Sequence, residues 1–369
     1  MAMKKNNKYI YLATALLIAV FVYGSLGTKK SDNVDIGVIS ILSGQFASIG
    51  ENYVKGVRLA EEVYESNHLG TIVNLHVEDD GFDPKKGISA FKKLTTLNNI
   101  DGLVNISSPT IDSVNKDINS LEIPTTQFGI QSDGVADDYI FQISPDPKVP
   151  ITRFGKYLLE NTSFKKVAVV YENGQPFDQF YKAMKESYGT GNTVPMLIQN
   201  KSDIQTYATK IALQDFDAVI ILAMPESGAL LVKKVSELTK NEITYAIDAQ
   251  FQTGHEIYKQ ILGNFGVLEG SYSLWLASDD KVNFKERYFE KYKEQPGSFA
   301  DSGYDAFMVL MNAYNKDKKV WQKNIALTKV SGASGNISFD AKGIRNQDFE
   351  VKKIINGEVQ VIDHIKMTE

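Results

Sequence analysis

Residues 34–66 read VDIGVISILSGQFASIGENYVKGVRLAEEVYES. Val34, Ile36, Val38 and Ile39 form a short, β-branched apolar run, which predicts a buried strand. Ser43 and Gly44 break it, and Val54, Val57, Ala60 and Val63 then recur at helical spacing. A strand–loop–helix unit of this kind aims its loop at the C-terminal edge of a parallel sheet. Open α/β folds bind their ligands at that edge.

The same pattern repeats downstream. TIVNLHVEDD (71–80) predicts a second strand ending in acids, and DPKKGISAFKKLTTLN (83–98) an amphipathic helix with Asp83 as cap and Pro84 in its first turn. Strand 101–107, helix 109–122 and strand 123–129 continue the alternation. Prolines interrupt it in DYIFQISPDPKVPI (138–151). After a helix at 150–161, strands at 165–172, 192–199, 216–223 and 244–249 alternate with helices at 178–188, 203–214, 226–238 and 254–262. LEGSYSLWL (268–276) reads as another crossing, and helices follow at 281–294 and 301–315. A β-hairpin around Asn356-Gly357 closes the pattern. Two βα runs divided at a Pro-rich crossing predict an α/β protein with two doubly wound parallel-sheet lobes.

Composition narrows the function. The 369 residues, 43% apolar and 23% charged, suffice for two domains with a substantial core. A net charge of −5 offers no electrostatic footprint for nucleic acid. The histidines (His68, His76, His255, His364) are scattered and cysteine is absent, which argues against Cys/His zinc sites, thiol catalysis and disulfides. Lys4, Lys5 and Lys8 precede about 18 uncharged residues, Tyr9 to Leu26, a length near that of a bilayer span. Residues 1–32 are therefore expected to be an uncleaved signal-anchor, since no Ala-x-Ala site follows. A cleaved signal peptide is the alternative and a buried helix the remaining one. Either export route places the domain from about residue 33 outside the cytoplasm, and the signal-anchor reading keeps it anchored there by the N-terminal helix.

Five segments, in order, carry a family resemblance: IGVISILSGQFASIGENYVKGVRLAEE (36–62), VEDDGFDPKKGISAFKKL (77–94), IPTTQFG (123–129), SFADSGYDAFMVLMNAY (298–314) and SGNISFDAKG (334–343). Together they resemble the type I periplasmic solute-binding proteins of the leucine/isoleucine/valine-binding class, over about residues 34–362. The resemblance implies two lobes, 33–146 plus 277–333 and 147–276 plus 334–369, joined by three hinge crossings near 144–149, 272–278 and 332–338. It implies an extracytoplasmic solute-binding component of an ABC-type importer, closing over a small amino-acid-like ligand and docking on a membrane permease. No cofactor and no catalysis are implied. A ligand-sensing ectodomain working with a receptor in trans, and binding an amide or other small polar solute, is the alternative. An enzyme is disfavoured: there is no G-x-S-x-G, no phosphate loop, and no histidine near a likely cleft segment.

Several residues are candidates for the cleft. In NISSPTIDS (105–113), Ser108 is expected to cap a helix with Pro109 at its first position, leaving backbone N–H groups for a carboxylate. Ser107 and Ser108 serving only as caps is the plainer reading. The resemblance places a ligand-holding hydroxyl here. It aligns Gly129, Ile130 and Gln131 with a small residue and a threonine that hold the ligand's carboxylate and ammonium. That threonine is absent, and Gln131 changes the pocket. Phe177 stands where the family usually has tyrosine, as an apolar lid or as a loop aromatic packed on its own lobe. Met224 stands where the family often has an aromatic, or is core. Asp248 aligns with an acid that pairs the ligand's ammonium, or is a loop cap. Ile49 is expected near the pocket mouth. The acidic run Glu78-Asp79-Asp80 is disfavoured as a metal site, because adjacent strand residues point to opposite faces. The Lys/Glu-rich helix 281–294 reads as a solvated face or docking surface.

Overall fold

Strand β1 (Asp32–Ser40) is the buried strand that its apolar run predicts. Val34, Ile36 and Val38 enter one core with Tyr53, Val57 and Ala60 of helix Ala47–Asn67 and with Phe307 and Leu310 of helix Ala300–Asn312. Ile39 enters the core on the other side, with Phe91 and Leu94 of helix Pro84–Thr96 and Ile111 and Val114 of helix Ser108–Ser120. The computed structural model describes residues 32–366 apart from 45, 130–138, 147, 175, 190 and 278–279. The apolar N-terminal segment and the candidates Ile130 and Gln131 lie outside the described residues. Among those described, no helix is long and apolar enough to cross a membrane.

Around β1 the first sheet runs β2 (Thr71–Asp79), β1, β3 (Gly102–Asn105), β4 (Thr125–Gln127), β5 (Ile140–Gln142), all parallel. The second sheet has β6 (Val167–Glu172), β7 (Thr193–Ile198), β8 (Ala218–Leu222), β9 (Tyr245–Ile247) and β10 (Tyr272–Leu276) in parallel. A hairpin of β13 (Phe349–Ile355) and β14 (Glu358–Ile365) adds antiparallel to β10, turning at Asn356 and Gly357, both at positive φ. The order is β14-β13-β10-β9-β8-β6-β7. A two-stranded hairpin, β11 (Lys329–Gly332) and β12 (Gly335–Ser338), stands apart from both.

Helices Ala47–Asn67 and Ala300–Asn312 cross closely at two glycines. A Cβ on Gly56 would sit 1.8 Å from the Ala300 carbonyl oxygen, and one on Gly303 would sit 2.2 Å from that of Tyr53. Only hydrogen fits between backbones at that approach.

Asp305, from the same Ala300–Asn312 helix, is fully buried and accepts from Ala333 N at 2.6 Å and from Ser334 N at 2.9 Å. The buried Arg345 donates from Nη1 to Ser334 Oγ (2.7 Å) and from Nη2 to Ser334 O (3.0 Å) and Asn336 O (3.1 Å). Its Nη1 lies 3.9 Å from Asp305 Oδ2. This node holds the 329–338 hairpin to the first core, where Ala333 and Ile337 are packed.

The chain passes between the sheets three times. The first passage follows Gln142: Ile143 still belongs to the first core, and Ile151 of helix Lys148–Asn161 belongs to the second. A second runs from Leu276 to Phe284, back in the first core. The third lies at 345–348, between Ile344 in the first core and Phe349 in the second. That is beyond the expected 332–338. Residues 334–344 therefore pack with the first sheet, not the second as the resemblance implied, because the Asp305–Arg345 node ties them there.

Candidate functional site

The passages fix where a cleft must lie. β5 ends at Gln142, on the C-terminal edge of the first sheet. Helix Lys148–Asn161 runs back along the second sheet into β6, so its N-terminus stands by that sheet's C-terminal edge. The few residues between them span at most about 20 Å. The two C-terminal edges are thus held close together, each fringed by the loops that carry the candidate residues.

On the first edge, Ser107 ends the run after β3 in extended conformation (φ −87°, ψ 118°) and is the N-cap of helix Ser108–Ser120. Ser108, expected as the cap, is the first helical residue instead. The cause is that Ser107 O accepts from Ile111 N at 3.1 Å, so the helical ladder starts one residue earlier. The Ser107 side chain makes no capping bond, and its buried Oγ has no partner among the described residues. Gly129 crosses directly over this helix end. A Cβ there would lie 2.7 Å from Ser108 N, so the chain after β4 can approach the first turn only as glycine. The first-turn N–H groups of any helix lack intrahelical acceptors, and the dipole there favours an anion.

Two residues not singled out from sequence belong to the same edge. Asn105 and Gln127 are register partners at the ends of β3 and β4, and both are fully buried. Asn105 Nδ2 donates to Ser107 O (2.9 Å), but Asn105 Oδ1 and both amide atoms of Gln127 find no partner among the described residues. For Asn105 the signal was a polar residue closing an apolar strand; Gln127 ends the all-polar Thr125–Gln127 and carried none. Tyr53 Oη donates to Asn105 O at 3.4 Å, linking this edge to the central helix. Ile49 is half-buried against the first core.

On the second edge, Asp248 follows β9 and is 1% exposed. Its Oδ1 accepts from Gln250 N at 3.0 Å in a local turn ahead of the next helix, while Oδ2 is unpaired among the described residues. Burial, with the nearby Glu172 carboxylate adding to it, holds this carboxyl well above the usual range, against the pull of that single N–H. Met224 is the half-buried N-cap of helix Pro225–Leu238 and packs on the second sheet's core. Phe177 opens helix Phe177–Tyr188 and is buried, edge-to-face with Phe180 at 5.8 Å. It packs on its own lobe and is no lid in this conformation. What the edges offer chemically is a set of hydrogen-bonding groups without partners among the described residues, and one buried acid.

The acidic run of β2 disperses as the pleat requires. Glu78 pairs with Lys93 (2.7 Å), Asp79 Oδ1 accepts from Leu42 N and Gly81 N (both 2.8 Å), and Asp80 is bonded by the Thr110 hydroxyl. No group of three or more potential ligands is poised to share a metal ion among the described residues. A shallow groove of about 380 Å³ lined by Leu59, Glu62, Val63, Arg287 and Lys291 lies on the helical flank of the first lobe, away from both edges.

Residues 33–346 match a family model described as periplasmic binding protein. The chain is 24% identical over 254 residues to the Leu/Ile/Val-binding protein BraC3 of Rhizobium johnstonii, covering 62% of this chain and 64% of that one. A Leu/Ile/Val-binding protein homologue of Brucella melitensis is 25% identical over 236 residues, 60% of this chain and 63% of its own length. The match thus spans slightly under two thirds of these relatives. Among solved structures, the substrate-binding protein LivJ of Streptococcus pneumoniae in complex with isoleucine superposes with a TM-score of 0.76 at 21% identity, covering 91% of this chain and all (100%) of that one. A solute-binding protein of an ABC transporter from R. palustris in complex with benzoate gives 0.75 at 18% identity, covering 90% and 96%.

Proposed function

Because the chain belongs to the periplasmic binding protein family, we propose that it is the extracytoplasmic solute-binding component of an ABC-type importer, closing two lobes over a small amino-acid-like solute. The observation that carries this reading is the pairing of the two C-terminal sheet edges across three short passages. Buried polar groups with no partner among the described residues stand on both edges: Ser107 Oγ, Asn105 Oδ1 and Gln127 on one, Asp248 Oδ2 on the other. Buried polar groups without partners are costly, and a solute that bonds them from both sides stabilises the closed form by that difference. The closed form would then dock on a membrane permease. No bond is made or broken in such a cycle.

The solute's carboxylate would sit at the helix end beside Ser107, Ser108 and Gly129, with Asp248 facing its other polar group and Ile49 and Met224 flanking it. Thermal-shift screening of branched-chain and polar amino acids, amides and aromatic carboxylates tests the reading. A true solute at 100 times its Kd stabilises by about 2.7 kcal/mol. No stabilising compound, together with turnover of an ester or amide, would sink it.

Two substitutions test the residues themselves. Ser107→Ala removes a hydroxyl that bonds nothing among the described residues. It should change stability by less than about 0.5 kcal/mol while weakening the panel's best compound about tenfold. Asp248→Asn keeps the shape and should weaken only compounds that carry an amine. Unchanged affinities in both variants would move the pocket elsewhere.

A further inference from the structure

The third passage threads between the other two. Its start is bound to the first passage, with Arg345 N donating to Gln142 O (2.9 Å) and Gln142 N to Gly343 O (2.8 Å). Its end is bound to the second, with Ala277 N donating to Asp348 O at 3.0 Å. Asn346 N still reaches back to Ser338 O at 3.0 Å. Upstream, the Arg345 guanidinium is fixed on the first core by Ser334 and Asn336. Downstream, Phe349 is already in the second core and paired with Leu276. Between these ties stands one residue, Gln347.

Its side chain is buried and spans the same gap. Nε2 donates to Ala277 O (3.1 Å), just past the second sheet, and to Ser334 O (3.4 Å), on the hairpin held to the first core. Any rotation of one sheet against the other changes the separation of those two carbonyls, because each is fixed to a different core. We propose that Gln347 is the pivot of lobe closure, and that its carboxamide sets the balance between open and closed forms without touching the solute. The lobe-closure part of this proposal rests on the solute-binding reading above.

Losing the amide leaves Ala277 O without this donor, whereas Ser334 O keeps the Arg345 bond. The cost falls on the conformation in which the bonds are made, so the population ratio should shift by about three- to tenfold. The chain has no cysteine, so spin labels can be placed cleanly on the full-length protein through Lys92→Cys, on the first lobe, and Gln205→Cys, on the second. Both positions are exposed. Pulsed electron–electron resonance then reads the inter-lobe distance with no solute added.

Gln347→Met should move or split the distance distribution, with populations changed about three- to tenfold, while Asn346→Ala next door leaves it as in the parent. Should Gln347→Met fail to fold, Gln347→Asn keeps the polarity but is one methylene too short to reach both carbonyls. A lowered melting temperature with an unchanged distance distribution overturns the pivot and leaves Gln347 a structural residue. The distance is read without solute, so a failed solute panel does not decide this test, nor this test the panel.

Discussion

Asp305→Ala is expected to destabilise the fold by about 3–5 kcal/mol, lowering the thermal midpoint by about 10 °C. The loss has two parts. The Ala333 and Ser334 N–H groups lose a buried acceptor, and the buried Arg345 guanidinium loses its nearer counter-charge, leaving only the more weakly coupled Asp301. Breaking a buried pair from one side costs more than the pair is worth, since the stranded charge cannot be rehydrated without opening the core. Chemical denaturation of the parent and the variant checks this, and a loss under about 1 kcal/mol would mean that the node contributes only local packing.

The same carboxyl carries a pH signature. Burial pushes Asp305 up to about 6, against the Arg345 charge and the Ser334 and Ala333 bonds. The folded value lies above the ordinary 3.8. The proton-linked stability from this group is therefore fully present below about 3.8 and is lost as pH rises through about 6. Asp305→Asn removes that dependence. The stability difference between parent and Asp305→Asn should shift in the parent's favour on acidification from pH 7 to pH 4. A constant difference would show that the carboxyl titrates normally.

Gly56→Ala is expected to cost about 3 kcal/mol or to prevent folding, although it adds a single methyl group. The added Cβ would meet the Ala300 carbonyl oxygen at 1.8 Å. That atom is backbone in a helix whose Val309, Leu310 and Met311 are already buried in the first core, so neither side can yield without parting the helices. Gly191→Ala is the control: nothing lies within 4 Å of its Cβ position. It should be neutral within about 0.5 kcal/mol. Equal effects at the two positions would mean that the helices slide freely.

The elements legible in the sequence are those whose side chains repeat a period over several residues. β1 and helix Ala47–Asn67 show it, as does the hairpin at Asn356-Gly357, where φ of 54° and 74° demands those residue types. β5 reads as a break because Ile140–Gln142 is three residues long and runs straight into Pro145, Pro147 and Pro150. Helix Lys318–Ala326 went unread because only Trp321 and Ile325 are buried on it. In the site, Ser107, Ser108, Gly129 and Asp248 could be located because strand ends and caps have local signatures. That Asn105 Oδ1 and the Gln127 amide lack partners among the described residues could not be read from sequence, since a side chain's partners are not encoded in its neighbours along the chain. Phe177 illustrates the converse. An aromatic after a loop reads equally as lid or core, and only its burial in one cluster with Phe154 and Leu222, distant in sequence, places it in the core.

Sequence alone determined the alternation of strands and helices, the family resemblance, and the strand ends that bear the site. Those properties depend on residues within a few positions of one another. Tertiary structure decided which hairpin belongs to which core, which serine caps the helix, and where the third passage runs. Each of these turns on contacts between distant residues: Asp305 with Ala333, Arg345 with Ser334 and Gln142, Gln347 with Ala277. Hydrogen bonds and ion pairs across such separations follow from how the sheets are stacked, and a linear pattern of apolar and polar residues carries no record of it.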